Sequence, residues 1–192
     1  LDRPAIDILP LTPERAKDFF AFFDGDAFAD NPSWRSCYCN FCHFDHARGG
    51  WALADAEGNR RATTTRIAAG QMKGHIAYAE GRPVGWVNAA PNALYPAGNL
   101  PPPDADNDRT GQILCFVVAP AWRGKGVARA LLEAACEGLK SQGMTIAEGN
   151  PRGEAETPAE NHFGPLALYL SAGFTQHAID EGDGSIFFRR AL

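Results

Sequence analysis

The stretch from Gln112 to Gln142 constrains this chain more than any other part of it. Gln112 to Val118 is a nearly unbroken apolar run, as expected of a strand covered on both faces. Ala119-Pro120-Ala121-Trp122 ends the run, and Arg123-Gly124-Lys125-Gly126 follows as a glycine-rich turn. From Val127 to about Gln142, the residues Val127, Ala130, Leu131, Ala134, Ala135 and Leu139 recur at helical spacing and make one apolar stripe. Gly143 stops that helix. A helix start in this position offers backbone N–H groups with no intrahelical partner, together with the positive end of the helix dipole. Diphosphates bind well to such a start. Glycines let the chain approach phosphate closely and take positive φ, and Arg123 and Lys125 add charge. The same residues also suit a plain strand-to-helix turn with solvated bases, and a short glycine motif alone does not separate the two readings.

Around this unit, Ile6 to Leu9 reads as a strand. Thr12-Pro13-Glu14 opens a helix, with Thr12 as N-cap and Pro13 at the first position. The helix carries Phe19, Phe20, Phe22 and Phe23 and ends near Asp24-Gly25. Residues 26–50 are irregular and rich in Cys, His and aromatics. Asn59 to Met72 predicts a helix. His75 to Glu80 and Pro83 to Ala89 predict two strands joined by Glu80-Gly81-Arg82. Residues 91–109 hold five prolines and the run Asp104-Ala105-Asp106-Asn107-Asp108, a long loop of the kind used as a lid or binding loop. Met144 to Ala147 is read as a strand, residues 149–164 as a loop, and Pro165 to Ala172-Gly173 as a short helix. Phe174 to Ile179 and Ser185 to Arg190 are the last strands, around Glu181-Gly182-Asp183-Gly184. The mixture predicts an α/β fold of α+β type, with one central sheet and helices on both faces. The length suits a single domain over residues 1–192.

Arg123-Gly124-Lys125-Gly126-Val127-Ala128 fits Arg-x-x-Gly-x-Ala, and Val118-Ala119-Pro120-Ala121-Trp122-Arg123 fits Val-x-Pro-x-aromatic-Arg. Both resemble the pyrophosphate motif of the GNAT superfamily of N-acetyltransferases. A nucleotide-triphosphate P-loop does not fit, because no Ser or Thr follows a Gly-Lys pair at the right spacing. Leu168-Tyr169-Leu170-Ser171-Ala172-Gly173-Phe174 resembles the family's Leu-Tyr-x-x-x-Gly-Phe. Members usually carry Asn seven residues before that Tyr and a small residue four before it. His162 and Pro165 stand there, so His162 or adjacent Asn161 becomes the candidate contact to pantetheine. The resemblance covers roughly residues 112–179.

The resemblance implies a mixed, mostly antiparallel sheet splayed between its fourth and fifth strands. It implies acetyl-CoA as co-substrate. The backbone of Phe116, Val117 and Val118 pairs with the pantetheine arm, and the amides of Arg123, Gly124, Lys125, Gly126, Val127 and Ala128 hold the pyrophosphate. An N–H near Val118 polarises the thioester carbonyl, and Tyr169 protonates the leaving thiolate. The acceptor amine must attack in its neutral form, which an alkyl amine of pKa about 10.4 adopts about once in a few thousand at pH 7. A base or a water relay is therefore expected. Glu148 is the first candidate, against its reading as a surface Glu at a strand end; His75 and His162 are weaker ones. The implied activity is acetyl transfer to a primary amine, with a small-molecule acceptor first. A protein lysine or N-terminus comes second, and a non-catalytic acyl-CoA-binding or metal-binding module third.

The five cysteines include Cys37, Cys39 and Cys42 crowded together, a poor disulfide framework. Reduced thiols in a cytoplasm are the simpler expectation. Cys39-x-x-Cys42-His43 formally matches a c-type haem attachment motif, with nothing else to support it. Zinc is chemically possible with His43 and His46 as further ligands. However, Cys37 and Cys39, two residues apart, point to opposite sides of an extended chain. No metal is expected, and the segment is read as wall of the acceptor pocket. Trp34, Trp51, Trp86 and Tyr95 are candidate acceptor-site aromatics, and Asp104 to Asp108 could attract a cation. The net charge of −5 argues against a nucleic-acid partner. No apolar stretch approaches the roughly 18 residues of a membrane helix. Leu1-Asp2-Arg3-Pro4 has neither the basic start nor the apolar run of a signal peptide, although a start on Leu leaves a trimmed leader open. A homodimer is left open.

Overall fold

The computed structural model describes residues 5–153, 158–182 and 184–192. The opening residues Leu1 to Pro4, part of the expected 149–164 loop and Asp183 of the last turn lie outside these. Seven strands form one sheet: β1 (Asp7–Pro10), β2 (Gly74–Ala79), β3 (Arg82–Pro91), β4 (Thr110–Val118), β5 (Ile146–Gly149), β6 (Thr175–Ile179) and β7 (Ile186–Ala191). Their order is β1-β2-β3-β4-β5-β7-β6. Every neighbouring pair is antiparallel except β4 with β5. That parallel pair needs a crossover, which α3 (Val127–Ser141) supplies.

Helices lie on both faces. On one, α1 (Ala16–Asp24) and α2 (Ala56–Ala68) cover Ile76, Trp86, Ala90, Leu114 and Val117. On the other, α3 and α4 (Leu166–Ser171) pack against Val87, Ala89, Ile113, Phe116 and Phe188. The alternation along β3 follows from the two-residue period of a strand: Trp86 and Ala90 point one way, Val87 and Ala89 the other.

Local chemistry explains the boundaries. The β2–β3 connection takes left-handed φ at Glu80 (52°) and Gly81 (73°), as a tight hairpin requires. Helix α2 starts at Ala56, not Asn59, because Asp55 caps it: its Oδ1 accepts the Gly58 amide at 2.6 Å. It ends at Ala68 rather than Met72, since Gln71 and Met72 both turn their amides back to the Arg66 carbonyl. Thr12 is extended as an N-cap should be, yet makes no side-chain cap bond, and a single 3-10 turn precedes α1. Strand β5 begins at Ile146 instead of Met144, because the Met144 and Thr145 amides are held by Leu139 and Arg109 carbonyls.

Two irregularities position the site. Strand β4 pairs with β3 as far as Val118, but with β5 only from Thr110 to Ile113. Beyond Ile113 the two parallel strands part. The β3–β4 register also slips: Asn88 faces Cys115 while Ala89 faces Ile113, leaving Leu114 as an extra residue on β4. Such a bulge re-aims side chains. Here it puts Leu114 and Cys115, consecutive residues, on the same face of the sheet.

Candidate active site

A cavity of about 600 Å³ opens where β4 leaves β5. Its inner wall is the parted stretch of β4, from Cys115 through Phe116 and Val117 to Val118. Asn161 and His162 reach it from the 3-10 turn Pro158–Phe163, and Arg123 and Ala128 from the glycine-rich turn and the start of α3. The outer wall is the irregular segment after α1, with Phe28, Trp34, Phe41 and Trp51. Thus Phe116, Val117, Val118, Arg123, Ala128, Asn161 and His162, all read from sequence as coenzyme contacts, line one cavity.

The glycine-rich turn has the form a diphosphate needs. Gly124 and Gly126 take φ of 72° and 89°, and nothing lies within 4 Å of either side-chain position. Gly126 is the N-cap of α3 and provides no side chain to occupy the helix start. Among the described residues, the amides of Gly124, Lys125, Gly126, Val127 and Ala128 have no protein acceptor. Arg123 departs from its expected role: its amide is committed to the Pro120 carbonyl. Its Nε donates to the Val118 carbonyl at 3.1 Å, and its guanidinium is paired with Asp30. That pairing holds the Asp30 carboxyl below its ordinary pKa. Lys125 keeps its ammonium over the Trp122 ring, 4.8 Å from the centroid.

The two expected catalytic side chains lie outside the cavity lining. Tyr169 is completely buried in α4. Its ring sits where Cβ atoms at Gly149 and Gly164 would come within 2.5 and 2.8 Å of it, so both glycines make room for it. Its hydroxyl donates to the Phe163 carbonyl at 3.0 Å, and burial pushes its pKa up. It therefore stands at the fork between β4 and β5, beside Phe116. Glu148 is neither at the surface nor in the cavity. It is fully buried on β5, accepting hydrogen bonds from Gln112 of β4 and Arg189 of β7. Its carboxylate ties three strands together, away from the cavity lining. His75 is not in the cavity either; burial lowers its pKa to about 4.

The acceptor-site aromatics divide. Trp34 and Trp51 line the cavity, whereas Trp86 and Tyr95 lie buried behind it. The acidic loop is also largely neutralised: Asp104 pairs with Arg189 and His177, and Asp106 with Arg109. In the cysteine segment the backbone is not extended. Pro32–Cys37 is a 3-10 turn, and Tyr38 and Cys39 follow in left-handed conformation, so Cys37, Cys39 and Cys42 all reach the cavity. Helix α2 fixes this segment through polar side chains. Arg66 donates to Asn40 Oδ1 (2.8 Å) and the His43 carbonyl (3.0 Å), and Thr63 donates to the Tyr38 carbonyl (3.0 Å).

Sequence reading missed Asn88. It is buried on β3 and organises Tyr95, His43 and Cys39 around its amide. The available signal was an amide inside the apolar strand Val84 to Ala90, since a polar group there has to be hydrogen-bonded.

A helix start open to diphosphate, beside a strand edge parted from its neighbour, defines a coenzyme-A-dependent acyltransferase. The model of the Acetyltransferase (GNAT) family matches residues 47–155, and the chain belongs to that family. Its co-substrate is acetyl-CoA. Among solved structures, an acetyltransferase from Thermus thermophilus is 19% identical with a TM-score of 0.56, each chain covered over 100%. YncA from Salmonella typhimurium, solved with its cofactor acetyl-CoA, is 15% identical with a TM-score of 0.52, covering 98% of this chain and 94% of that one. A ribosomal-protein-alanine N-acetyltransferase from Brucella melitensis is 18% identical with a TM-score of 0.54, covering 97% and 99%. These likenesses concern the fold. No curated protein matches the chain. No helix among the described residues is long and apolar enough to cross a membrane.

Proposed function

We propose that the protein transfers acetyl from acetyl-CoA to the primary amine of a small molecule with an apolar or aromatic body, by direct attack on the thioester. One observation carries this reading: the coenzyme-side residues Phe116 to Val118, Asn161 and His162 share a cavity with Phe28, Trp34, Phe41 and Trp51. An aromatic wall suits an acceptor with an apolar body. The amides from Gly124 to Ala128 would hold the pyrophosphate. The free edge of β4 would pair with the pantetheine arm, and a β4 amide near Val118 would stabilise the developing oxyanion.

Asp30, the one carboxylate in the lining among the described residues, is engaged by Arg123. The neutral amine is therefore supplied by the cavity's apolar surroundings, or by proton transfer to His162, which also lines it. Apolar surroundings disfavour an ammonium and lower its pKa. Tyr169 stands at the strand fork beside Phe116 as the proton source for the leaving thiolate. The test is consumption of acetyl-CoA across a panel of arylalkyl amines, polyamines and lysine peptides, with calorimetry of acetyl-CoA binding alongside. Turnover led by arylalkyl amines is expected. Preference for the peptides would favour a protein substrate, and binding without turnover on any amine would leave a non-catalytic acyl-CoA sensor.

A further inference from the structure

Four sulfurs on the cavity wall, those of Cys37, Cys39, Cys42 and Cys115, have no part in this chemistry. Cys39 Sγ is 2% exposed as a residue and receives the Trp86 indole N–H at 3.3 Å and the Asn88 amide at 3.1 Å. Both partners are donors only. Asn88 Oδ1 accepts the Tyr95 hydroxyl at 2.6 Å, and its Nδ2 also meets His43 Nε2 at 3.0 Å. Burial lowers the His43 pKa to about 4, so the ring is neutral; its other hydrogen bond, to the Leu94 backbone, takes the ring proton and leaves Nε2 to accept. The thiols of Cys115 and Cys42 act on the same sulfur. Trp86 and Asn88 offer this sulfur only N–H donors, an arrangement that favours a thiolate over a neutral thiol. Burial works against the charge, but the donors from Cys115, Cys42 and Trp86 outweigh it and hold the Cys39 pKa well below its ordinary value. Those of Cys115 and Cys42 are raised in turn, Cys115 chiefly by its hydrogen bond to Cys39.

The backbone is bent to make this site. Tyr38 and Cys39 take φ of 45° and 57°, conformations that cost roughly 1–3 kcal/mol each in non-glycine residues and cluster at functional positions. The Leu114 bulge brings Cys115 to the same side from β4. Cys39, Cys42 and Cys115 all line the cavity, which admits a small reagent. Among the described residues no group of three or more His, Cys, Asp or Glu side chains is arranged to hold a metal ion.

We propose that Cys39 is an oxidation site for hydroperoxides and that the adjacent thiol of Cys42 or Cys115 resolves it to a disulfide. The Cys39 sulfur attacks the peroxide O–O bond; an S–O bond forms and the departing oxygen leaves as water or alcohol after taking a proton. The second thiol loses its proton and attacks the Cys39 sulfur. An S–S bond forms, the S–O bond breaks, and the oxygen leaves as water. Two electrons pass from the cysteine pair to the peroxide. Such sites combine a low thiolate pKa with access to the oxidant and often a resolving thiol; here the access is through the cavity that Cys39 lines. A bridge to Cys115 would tie the cavity's outer wall to β4 next to Phe116. The proposal stands whichever amine is acetylated.

Intact mass under non-reducing conditions, after hydrogen peroxide at pH 7, tests it. The wild type should lose two hydrogens, regain them with dithiothreitol, and give a cross-linked peptide containing Cys39. Cys39→Ser should form no disulfide. Should that variant fold poorly, Cys42→Ser/Cys115→Ser provides the second reading, stalling as a sulfenic acid on Cys39 that dimedone traps. In the untreated wild type, iodoacetamide at pH 6.5 should label Cys39 at least tenfold faster than Cys136. A disulfide that excludes Cys39, thiols left intact by peroxide, or stoichiometric zinc in the purified protein would overturn the proposal.

Discussion

Tyr169 and Glu148 are both wholly buried side chains near the strand fork, and their partners separate their roles. Tyr169 offers its hydroxyl to one main-chain carbonyl and fits a space cleared by Gly149 and Gly164. Removing the hydroxyl leaves the ring in place. Tyr169→Phe should therefore lower kcat by about 100- to 10,000-fold, as loss of a general acid does, with acetyl-CoA affinity changed less than threefold. Steady-state kinetics with calorimetry reads both, and an unchanged kcat in a folded variant would remove Tyr169 from the chemistry. Glu148 carries Arg189 and Gln112 between three strands. Glu148→Gln breaks a buried ion pair, a change that costs about 3 kcal/mol or somewhat more when one partner is left behind. Arg189 retains Asp104 at 2.8 Å, which keeps the loss near the lower figure. Urea denaturation should show this loss while the folded fraction keeps its turnover. A large fall in kcat at full stability would restore Glu148 as the base.

At the scale of elements, the glycine-rich turn makes the sharpest prediction. Gly126 has φ of 89° at the N-cap of α3, with open space at its side-chain position. Gly126→Ala should cost roughly 1–2 kcal/mol of stability through the left-handed backbone. It should also raise the acetyl-CoA Kd at least tenfold, because the new methyl stands at the row of free amides; calorimetry and thermal unfolding measure the two effects. A Kd within twofold of wild type would place the diphosphate elsewhere. This unit was legible in the sequence because its physics is local: a strand period, two glycines and one helical stripe. Helix α2 was legible apart from its two ends: the Asp55 cap starts it at Ala56, ahead of Asn59, and it stops at Ala68, short of Met72. The cysteine segment resisted because 3-10 turns and two left-handed residues leave no periodicity to read. Burial of Glu148 could not be read either. A carboxylate near a strand end looks the same in sequence whether it meets water or, as here, Gln112 and Arg189 across the sheet.

For the molecule as a whole, the buried histidines set how stability responds to pH. Burial lowers the pKa of both His43 and His75 to about 4 in the folded chain. Unfolded, each returns to about 6.5. Below that value the unfolded state binds more protons than the folded one, so stability falls with pH. The contribution is fully present above about pH 6.5 and is lost as pH drops towards 4. Asp24, Asp30 and Asp104 are held below their ordinary values by the pairing of Arg60, Arg123 and Arg189, against a burial cost that is largest at Asp24 and Asp104; their protonation begins only beneath this window. For His43, 4% exposed, the linkage amounts to roughly 2 kcal/mol between pH 7 and pH 5. His75 adds to it in the same direction, its Nδ1 buried without a partner against Gly138 of α3. Urea denaturation at pH 7 and pH 5 should show the fall, and His75→Asn should flatten it by removing one titrating group while the His43 share remains. If stability were level across those two pH values, neither ring would be held neutral by burial. The assignment of His43 Nε2 as an acceptor beside Asn88, on which the donor-rich surroundings of Cys39 partly depend, would then fail with it.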